Sequence, residues 1–154
     1  MNTETLKFKV GLSGTYWGDK TPEYGISIGA TTYIKGSISE ASGQVTYIEF
    51  DAELNEGTHQ LKISLLNKDA STDVVKDEND QVVKDILLNI ESIEIDDIDI
   101  GFIRYTNSVF HLDKKQLYQG AIVDSIPSCV NLGFNGAYTL EFTSPFYLWL
   151  LENL

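Results

Sequence analysis

Oxygen-bearing side chains are concentrated in one loop of this sequence, between an apolar run that ends near Leu66 and another that begins near Ile86. Calcium takes six to eight oxygen ligands from carboxylates, amides and backbone carbonyls, and a loop of this composition supplies them. The sequence therefore predicts a calcium ion as cofactor, and the candidate metal ligands are Asn67, Asp69, Asp73, Asp77 and Asp85.

The same loop also has an interpretation as a polar hairpin. Asn79 and Asp80 would form its turn, because Asn and Asp tolerate the backbone conformations of tight hairpin turns. The strands beneath this turn would pair through Val74, Val75, Val82 and Val83. The two interpretations are compatible, since a metal can be bound at the base of a hairpin.

Most enzyme classes lack their signature in this sequence. It has no phosphate-binding glycine loop, two-histidine zinc helix, nucleophile elbow or paired CxxC motif. The run from Asp77 is similar to the start of a helix-loop-helix calcium site, but the central glycine is missing and the twelfth position is Leu88. Ser108, His111 and Asp113 form only a weak local triad pattern, and a carboxylate-pair glycosidase stays open as an alternative. We predict a non-catalytic protein.

The elements that must position these residues are indicated by alternating apolar and polar residues. Leu6, Phe8, Val10 and Leu12 share one phase, which is typical of a half-buried strand. The same alternation recurs in four further runs, at residues 24–28, 46–50, 61–65 and 138–142. Helical periodicity is nearly absent and glycines separate the runs, which predicts an all-β fold, an antiparallel β-sandwich.

One domain is expected from the length of 154 residues, because a chain of this size buries roughly 70% of its unfolded surface in a single core. Residues 1–154 would form this domain, and residues 102–154 would be a C-terminal extension that completes or flanks the sandwich. Between Ile86 and Ile100 the apolar phase slips at Glu91, which predicts a β-bulge. A turn is expected at Asp96, before the phase resumes.

The charge of the chain restricts its partners. Eleven Lys and Arg against 23 Asp and Glu give a formal net charge of −12, so nucleic acid and anionic membranes are not expected as partners. Eleven of the 23 acidic residues lie between Asp69 and Asp99, which favours a cation as the counterpart.

The single Cys129 is expected to be a small buried residue. Residues 1–4 give no sign of a signal peptide, and no apolar run reaches transmembrane length.

Several of these runs resemble the calcium-dependent xylan-binding modules. The residues that carry the resemblance are the runs 8–14, 23–29, 61–69 and 85–95, and the similarity covers residues 5–101. It implies a jelly-roll type of β-sandwich in which calcium is coordinated partly by the protein and partly by vicinal sugar hydroxyls. Asp85 would match the first aspartate of the family motif, and Asn67 or Asp69 its Asn-Asp pair. The chain departs from the motif at Lys68, which separates that pair, and at residues 86–87, which replace Arg-Asn.

A sugar site of this kind normally adds an aromatic platform. Tyr16 and Trp17, in the loop between Gly14 and Glu23, are the candidates, with Asn79 as a polar sugar contact. The alternative for Trp17 is that it caps the edge of the sandwich.

The end of the chain has its own resemblance and its own alternatives. Residues 129–136 and 144–153 are similar to small uncharacterised proteins of marine cyanobacterial phages, which implies a virus-encoded protein in the virion or host cytoplasm, with extracellular action also compatible. The apolar segment Phe146–Leu151 would be a last core strand or an interface for a homo-oligomer.

From the acidic loop and the resemblance to xylan-binding modules, we predict a calcium-binding module that recognises a polysaccharide or cell-surface glycan. The alternative is a phage structural or assembly protein with a purely structural calcium.

Overall fold

A computed structural model of the chain describes residues 2–101 and 103–154. The strands in chain order are β1 (Thr3–Thr15), β2 (Glu23–Ile28), β3 (Thr31–Ser37), β4 (Thr46–Asn55), β5 (Gly57–Leu65), β6 (Val75–Lys76), β7 (Val82–Lys84), β8 (Leu87–Ile95), β9 (Ile98–Asp99), β10 (Ser108–Tyr118), β11 (Ala121–Pro127), β12 (Asn131–Leu132) and β13 (Gly136–Ser144). The helices are α1 (Ala70–Asp73), α2 (Ile103–Thr106) and α3 (Phe146–Asn153).

Two antiparallel sheets form the body of the protein. The 5-stranded sheet has the order β12-β8-β1-β4, with β9 beside β8, and the 6-stranded sheet has the order β11-β10-β13-β5-β2-β3. Strands β6 and β7 form a separate hairpin. The predicted all-β fold, an antiparallel β-sandwich of jelly-roll type, is confirmed.

The core lies between the inner faces of the two sheets. Leu6, Phe8, Val10 and Leu12 of β1 are buried, as their alternation predicts, while most of the residues between them are less buried. Across the sandwich the ring of Phe8 contacts Phe142 of β13, with ring centroids 6.0 Å apart. Full burial of one such side chain contributes about 1.5–3 kcal/mol, so this layer supplies the main driving force for folding.

Strand β8 contains the predicted bulge. Its pairing with β1 steps from Ser92 to Ile90, so Glu91 is the extra residue, and its carboxylate accepts a hydrogen bond from the Ser13 hydroxyl at 2.7 Å. Asp96 (φ 52°) and Asp97 (φ 65°) then form the two-residue turn into β9. Aspartate tolerates positive φ better than most residues, which suits it to this turn. The predicted bulge at Glu91 and the predicted turn at Asp96 are both confirmed.

The C-terminal apolar segment is a helix, so its prediction as a strand was wrong. Phe146, Trp149 and Leu150 are buried, and their spacing is that of one helix face. The segment is apolar at every position from Phe146 to Leu151, so its sequence has no period that distinguishes a buried strand from a helix. Glu4 of β1 fixes the start of α3, since its carboxylate accepts hydrogen bonds from the Ser144 hydroxyl and from Phe146 N, the latter at 2.9 Å. Of the described helices, none is both long and apolar enough to cross a membrane.

Strand β10 departs from its neighbour β11 in the middle. The register passes from His111, opposite Ser125, to Gln116, opposite Val123, so four residues of β10 (112–115) stand against a single residue of β11. Gly136 supports this bulge from β13, because a Cβ atom at that position would lie 2.2 Å from the carbonyl oxygen of His111. Only glycine permits this close approach of the two backbones.

We expect the substitution Gly136→Ala to lower the free energy of unfolding by about 1–3 kcal/mol, because the added methyl group overlaps the backbone of β10. The measurement is urea denaturation followed by circular dichroism. Gly25→Ala is the matched control, since its added Cβ would lie 3.5 Å from Leu66, an ordinary contact. Equal stability of the two variants would contradict the role of Gly136.

Candidate functional site

The acidic loop between β5 and β8 begins with helix α1, which Asp69 caps. The Asp69 carboxylate accepts hydrogen bonds from the Ser71 N–H at 3.1 Å and from the Ser71 hydroxyl at 2.6 Å. These hydrogen bonds lower the pKa of the Asp69 carboxyl below its ordinary value. Capping of this kind explains why an aspartate stands at the first turn of a short helix.

Asp73 closes the same helix and is buried. Its carboxylate accepts hydrogen bonds from Lys20 Nζ at 2.8 Å and from Asp69 N at 2.7 Å. Burial raises the pKa of Asp73, but the hydrogen bonds from Lys20 and Asp69 and the charge of Lys20 outweigh it, so the pKa is lowered overall. Asp73 is therefore held ionised by a lysine of the chain.

Asn67 and Asp77 each hold a turn in place. The Asn67 amide accepts from Glu23 N at 2.8 Å and donates to Thr21 O at 2.9 Å, so it fastens the start of the loop to β2. Asp77 Oδ1 accepts from the N–H groups of Asn79 and Gln81 at 2.9 and 3.0 Å. Asn79 lies exposed at the tip of this turn.

The hairpin of the second interpretation is present between β6 and β7, with a shifted pairing. Val75 stands opposite Lys84 and Lys76 opposite Val82. Asp80 has a φ of 61°, which is the left-handed conformation that a tight turn requires. Val74, which was expected to pair, lies outside the hairpin because it ends helix α1.

Asp85 ends the loop beside a buried lysine. Lys68 Nζ lies 2.5 Å from Asp85 Oδ1 and 2.6 Å from the carbonyl oxygen of Ile86. The backbone of Lys68 is held by Asn135, whose amide accepts from Lys68 N at 2.7 Å and donates to Lys68 O at 2.9 Å. Residues from the loop, from the start of β8 and from the β12-β13 connection thus meet at Lys68.

The predicted calcium ligands do not fit a calcium ion in this arrangement. Each of the five directs a side-chain oxygen at a protein N–H or ammonium group, and Lys20 and Lys68 lie next to the carboxylates of Asp73 and Asp85. Within residues 2–101 and 103–154, no group of three or more His, Cys, Asp or Glu side chains is arranged to hold a metal. At Asp73 and Asp85 a calcium ion would compete with the ammonium groups of Lys20 and Lys68.

The predicted aromatic sugar contacts support the loop in this structure. The Tyr16 hydroxyl donates to the carbonyl of Glu40 at 2.9 Å, and Trp17 Nε1 donates to the carbonyl of Asp73 at 2.9 Å. Lys84 Nζ lies 5.1 Å from the centre of the Trp17 ring and covers one of its faces. The roles of Tyr16, Trp17 and Asn79 in sugar binding stay predictions.

Two adjoining clefts lie beside this loop. We call the first the apolar cleft; it has a volume of about 670 Å³ and is bounded by Val74, Val82, Leu117, Ile126 and Phe134, among others. We call the second the polar cleft; it has a volume of about 390 Å³ and is lined by Lys68, Asp69, Ala70, Asp113, Lys114, Gln116, Phe134 and Asn135. Both volumes lie in the usual range for small-molecule sites.

The bulge of β10 supplies the free polar groups of the polar cleft. Asp113, Lys114 and Gln116 lie in or beside the bulge, and their side chains make no hydrogen bond or ion pair with the residues that the structure describes. Phe134 is half-buried and lines both clefts. Sequence reasoning missed Phe134, Lys114 and Gln116 and considered Asp113 only as part of a triad, although the glycines at 133 and 136 around an aromatic residue were an available signal.

The triad considered from the sequence does not form. Ser108 is buried on the inner face of β10, whereas His111 is exposed.

Cys129 is half-buried and borders the apolar cleft, and its burial raises the pKa of the thiol.

Comparison with known proteins gives a likeness of fold. No protein-family model matches the chain, and no curated protein matches it. A solved structure of vCBM60 in complex with galactobiose has a TM-score of 0.53 and 11% identity, over 87% of this chain and 96% of that one. A selenomethionine form of vCBM60 has a TM-score of 0.53 and 11% identity, over 88% of this chain and 89% of that one. It comes from work on circular permutation between two families of calcium-dependent carbohydrate binding modules.

The chain therefore has the β-sandwich fold of a carbohydrate-binding module. Neither structure is described as a xylan-binding module or as a phage protein. At 11% identity the likeness concerns the path of the backbone, and it assigns no ligand to any residue of this chain.

We expect Asp73→Asn to lower the free energy of unfolding at neutral pH by about 1–3 kcal/mol, because Lys20 and the Asp69 N–H lose a charged acceptor. Since the folded pKa of Asp73 is lowered, its contribution is complete above the unfolded pKa of about 3.9 and is lost as pH falls through the folded value. Urea denaturation from about pH 6 to pH 2 should show a smaller acid loss in the variant. Asp19→Asn, an exposed control, should follow the wild type. An acid loss as large in Asp73→Asn as in the wild type would refute this assignment.

Proposed function

We propose that this protein binds carbohydrate in the polar cleft, with Phe134 as the stacking surface. The observation that carries this proposal is the half-buried ring of Phe134 beside Asp113, Lys114 and Gln116, whose side chains have no protein partner among the described residues. The fold likeness to a carbohydrate-binding module supports it.

Sugars match the chemistry of this cleft. A pyranose has an apolar face that packs on an aromatic ring and hydroxyl groups that both donate and accept hydrogen bonds. The carboxylate of Asp113 accepts, the ammonium of Lys114 donates, and the amide of Gln116 does both. Asn135, which also lines the cleft, makes two hydrogen bonds to Lys68, so this part of the wall is ordered before a ligand binds.

A neutral oligosaccharide is the class of ligand that fits best. The net charge of −12 repels polyanionic glycans, so uronic acid polymers and sulfated polymers are disfavoured. Galactobiose is the first probe, because vCBM60 is known in complex with it. We propose binding without turnover, so no shortened sugar should appear when a polysaccharide is incubated with the protein.

Calcium was expected to mediate the contact with sugar. The relatives in fold belong to calcium-dependent families, which favours the ion. The predicted ligands here face N–H and ammonium groups, which opposes it. The proposed sugar contacts through Phe134 and Asp113 do not use the ion.

We expect Phe134→Ala to weaken glycan binding about 10-fold or more, because loss of a stacking ring costs on the order of 1–3 kcal/mol by analogy with nucleobases. Isothermal titration with galactobiose, preceded by a glycan array, is the measurement. Tyr47→Ala is the matched control, since Tyr47 is an exposed aromatic residue on the other sheet, and its affinity should equal that of the wild type.

Two results would contradict this site. If Phe134→Ala binds as tightly as the wild type while Trp17→Ala does not, the sugar lies on Trp17, as the sequence suggested. If the wild type binds no neutral glycan on the array, carbohydrate binding itself is wrong.

A second candidate function is self-association, as in an assembly component of a virus particle. Helix α3 leaves Tyr147, Leu148 and Leu151 more than half exposed, as is Leu154 just after it, although its opposite face is packed on the sandwich. A helix that is apolar on all sides is normally covered. A homo-oligomer that buries α3 would act in the virion or the host cytoplasm.

We expect the double variant Leu148→Gln with Leu151→Gln to weaken any such dimer at least about 10-fold, because apolar anchors dominate interface energies. Sedimentation at several protein concentrations is the measurement. Leu117→Gln, an exposed leucine on β10, is the control and should not change the assembly. A wild type that sediments as a monomer throughout would exclude this candidate.

A further inference from the structure

Lys68 is a buried cation at the junction of the two clefts. Its side chain is only 4% exposed, and its ammonium contacts Asp85 Oδ1 at 2.5 Å and the carbonyl oxygen of Ile86 at 2.6 Å. Burial of an ammonium is costly unless charge and hydrogen bonds compensate it, and here a carboxylate and a carbonyl do so. The charge and the hydrogen-bonding groups of the Lys68 ammonium are therefore compensated within the loop.

These contacts link three separate parts of the chain. The side chain of Lys68 holds residues 85–86 at the start of β8, and its backbone is held from the other side by Asn135. Lys68 lines both the polar cleft and the apolar cleft, as Phe134 does. Lys68 therefore connects parts of the walls of both clefts to the start of β8 and to Asn135.

A second lysine, Lys20 of the β1–β2 connection, also pairs with a carboxylate of the loop, although its side chain is 39% exposed. Lys20 Nζ lies 2.8 Å from the carboxylate of Asp73, which is 4% exposed. A carboxylate that pairs with an ammonium group has its negative charge compensated, which is one effect that a bound calcium ion would otherwise have.

We propose that the ammonium of Lys68 serves as the resident cation of this loop, so that the order of the loop and ligand binding in the adjoining cleft do not depend on calcium. The part that concerns ligand binding rests on the proposed carbohydrate function. Lys68 is a positioning residue: it acts on the ligand through Asp85, Ile86 and Asn135.

The first test uses the wild type alone. Its Tm and its affinity for galactobiose are measured in millimolar calcium and in chelator at equal ionic strength. Both should be the same in the two buffers. A saturable rise in Tm of roughly 5 °C or more with calcium, or binding that chelator abolishes, would overturn the proposal.

The second test removes the ammonium. Lys68→Ala should lower Tm by roughly 6–20 °C, whereas Lys35→Met, on an exposed lysine of β3, should leave it unchanged. Propylammonium has the three carbons and the ammonium group that the Lys68→Ala substitution removes, so it should restore several degrees, but tetramethylammonium, which has no N–H donor, should not. Equal effects of the two ions would overturn the assignment.

A variant that keeps the fold separates the charge from the packing. Lys68→Met combined with Asp85→Asn removes both charges and should recover part of the Tm lost in Lys68→Met alone. Strictly additive losses would overturn the coupling. If the wild type binds no glycan in either buffer, the carbohydrate proposal fails, while the Tm results still decide the role of Lys68.

Discussion

Asn135 pairs with the backbone of Lys68 through both ends of its amide, and this pairing joins the acidic loop to the C-terminal third of the chain. The side chain of Lys68 continues the connection to Asp85 and Ile86 at the start of β8. Elements far apart in sequence therefore share one anchoring residue. Both clefts lie next to Lys68, because Lys68 and Phe134 line each of them.

Charge explains why the loop needs such an anchor. The chain has 23 acidic residues against 11 basic ones, and crowded carboxylates destabilise a compact loop by mutual repulsion. Lys20 and Lys68 are placed next to Asp73 and Asp85, whereas the exposed Lys76–Asp80 pair at 3.4 Å contributes little. The acidic composition favoured a bound cation, and the positive charges that the structure places beside the loop are those of two lysines. It could not indicate the source, because Lys20 lies far from the loop in sequence.

Local patterns allowed most of the fold to be predicted. The alternation in β1, the bulge at Glu91 and the turn at Asp96 each depend on neighbouring residues, so they could be read without tertiary information. Helix α3 was missed because a short apolar run has no clear period, and because the acceptor at its first turn, Glu4, comes from the other end of the chain. The polar cleft was missed for the same reason, since Phe134 meets the bulge of β10 only in the folded protein.

The likeness to vCBM60 shows which features a fold can carry across 11% identity. Sheet order and strand pairing depend on buried alternation, which many sequences satisfy. A ligand set depends on particular atoms in loops, and one changed residue removes it. Lys68 interrupts the Asn-Asp pair of the motif that the sequence resembles, and its ammonium contacts the aspartate that the resemblance assigned to calcium. A sandwich of this kind can therefore keep the path of its strands while the side chains of its loops change, and in this chain the carboxylate that the resemblance assigned to calcium pairs with a lysine.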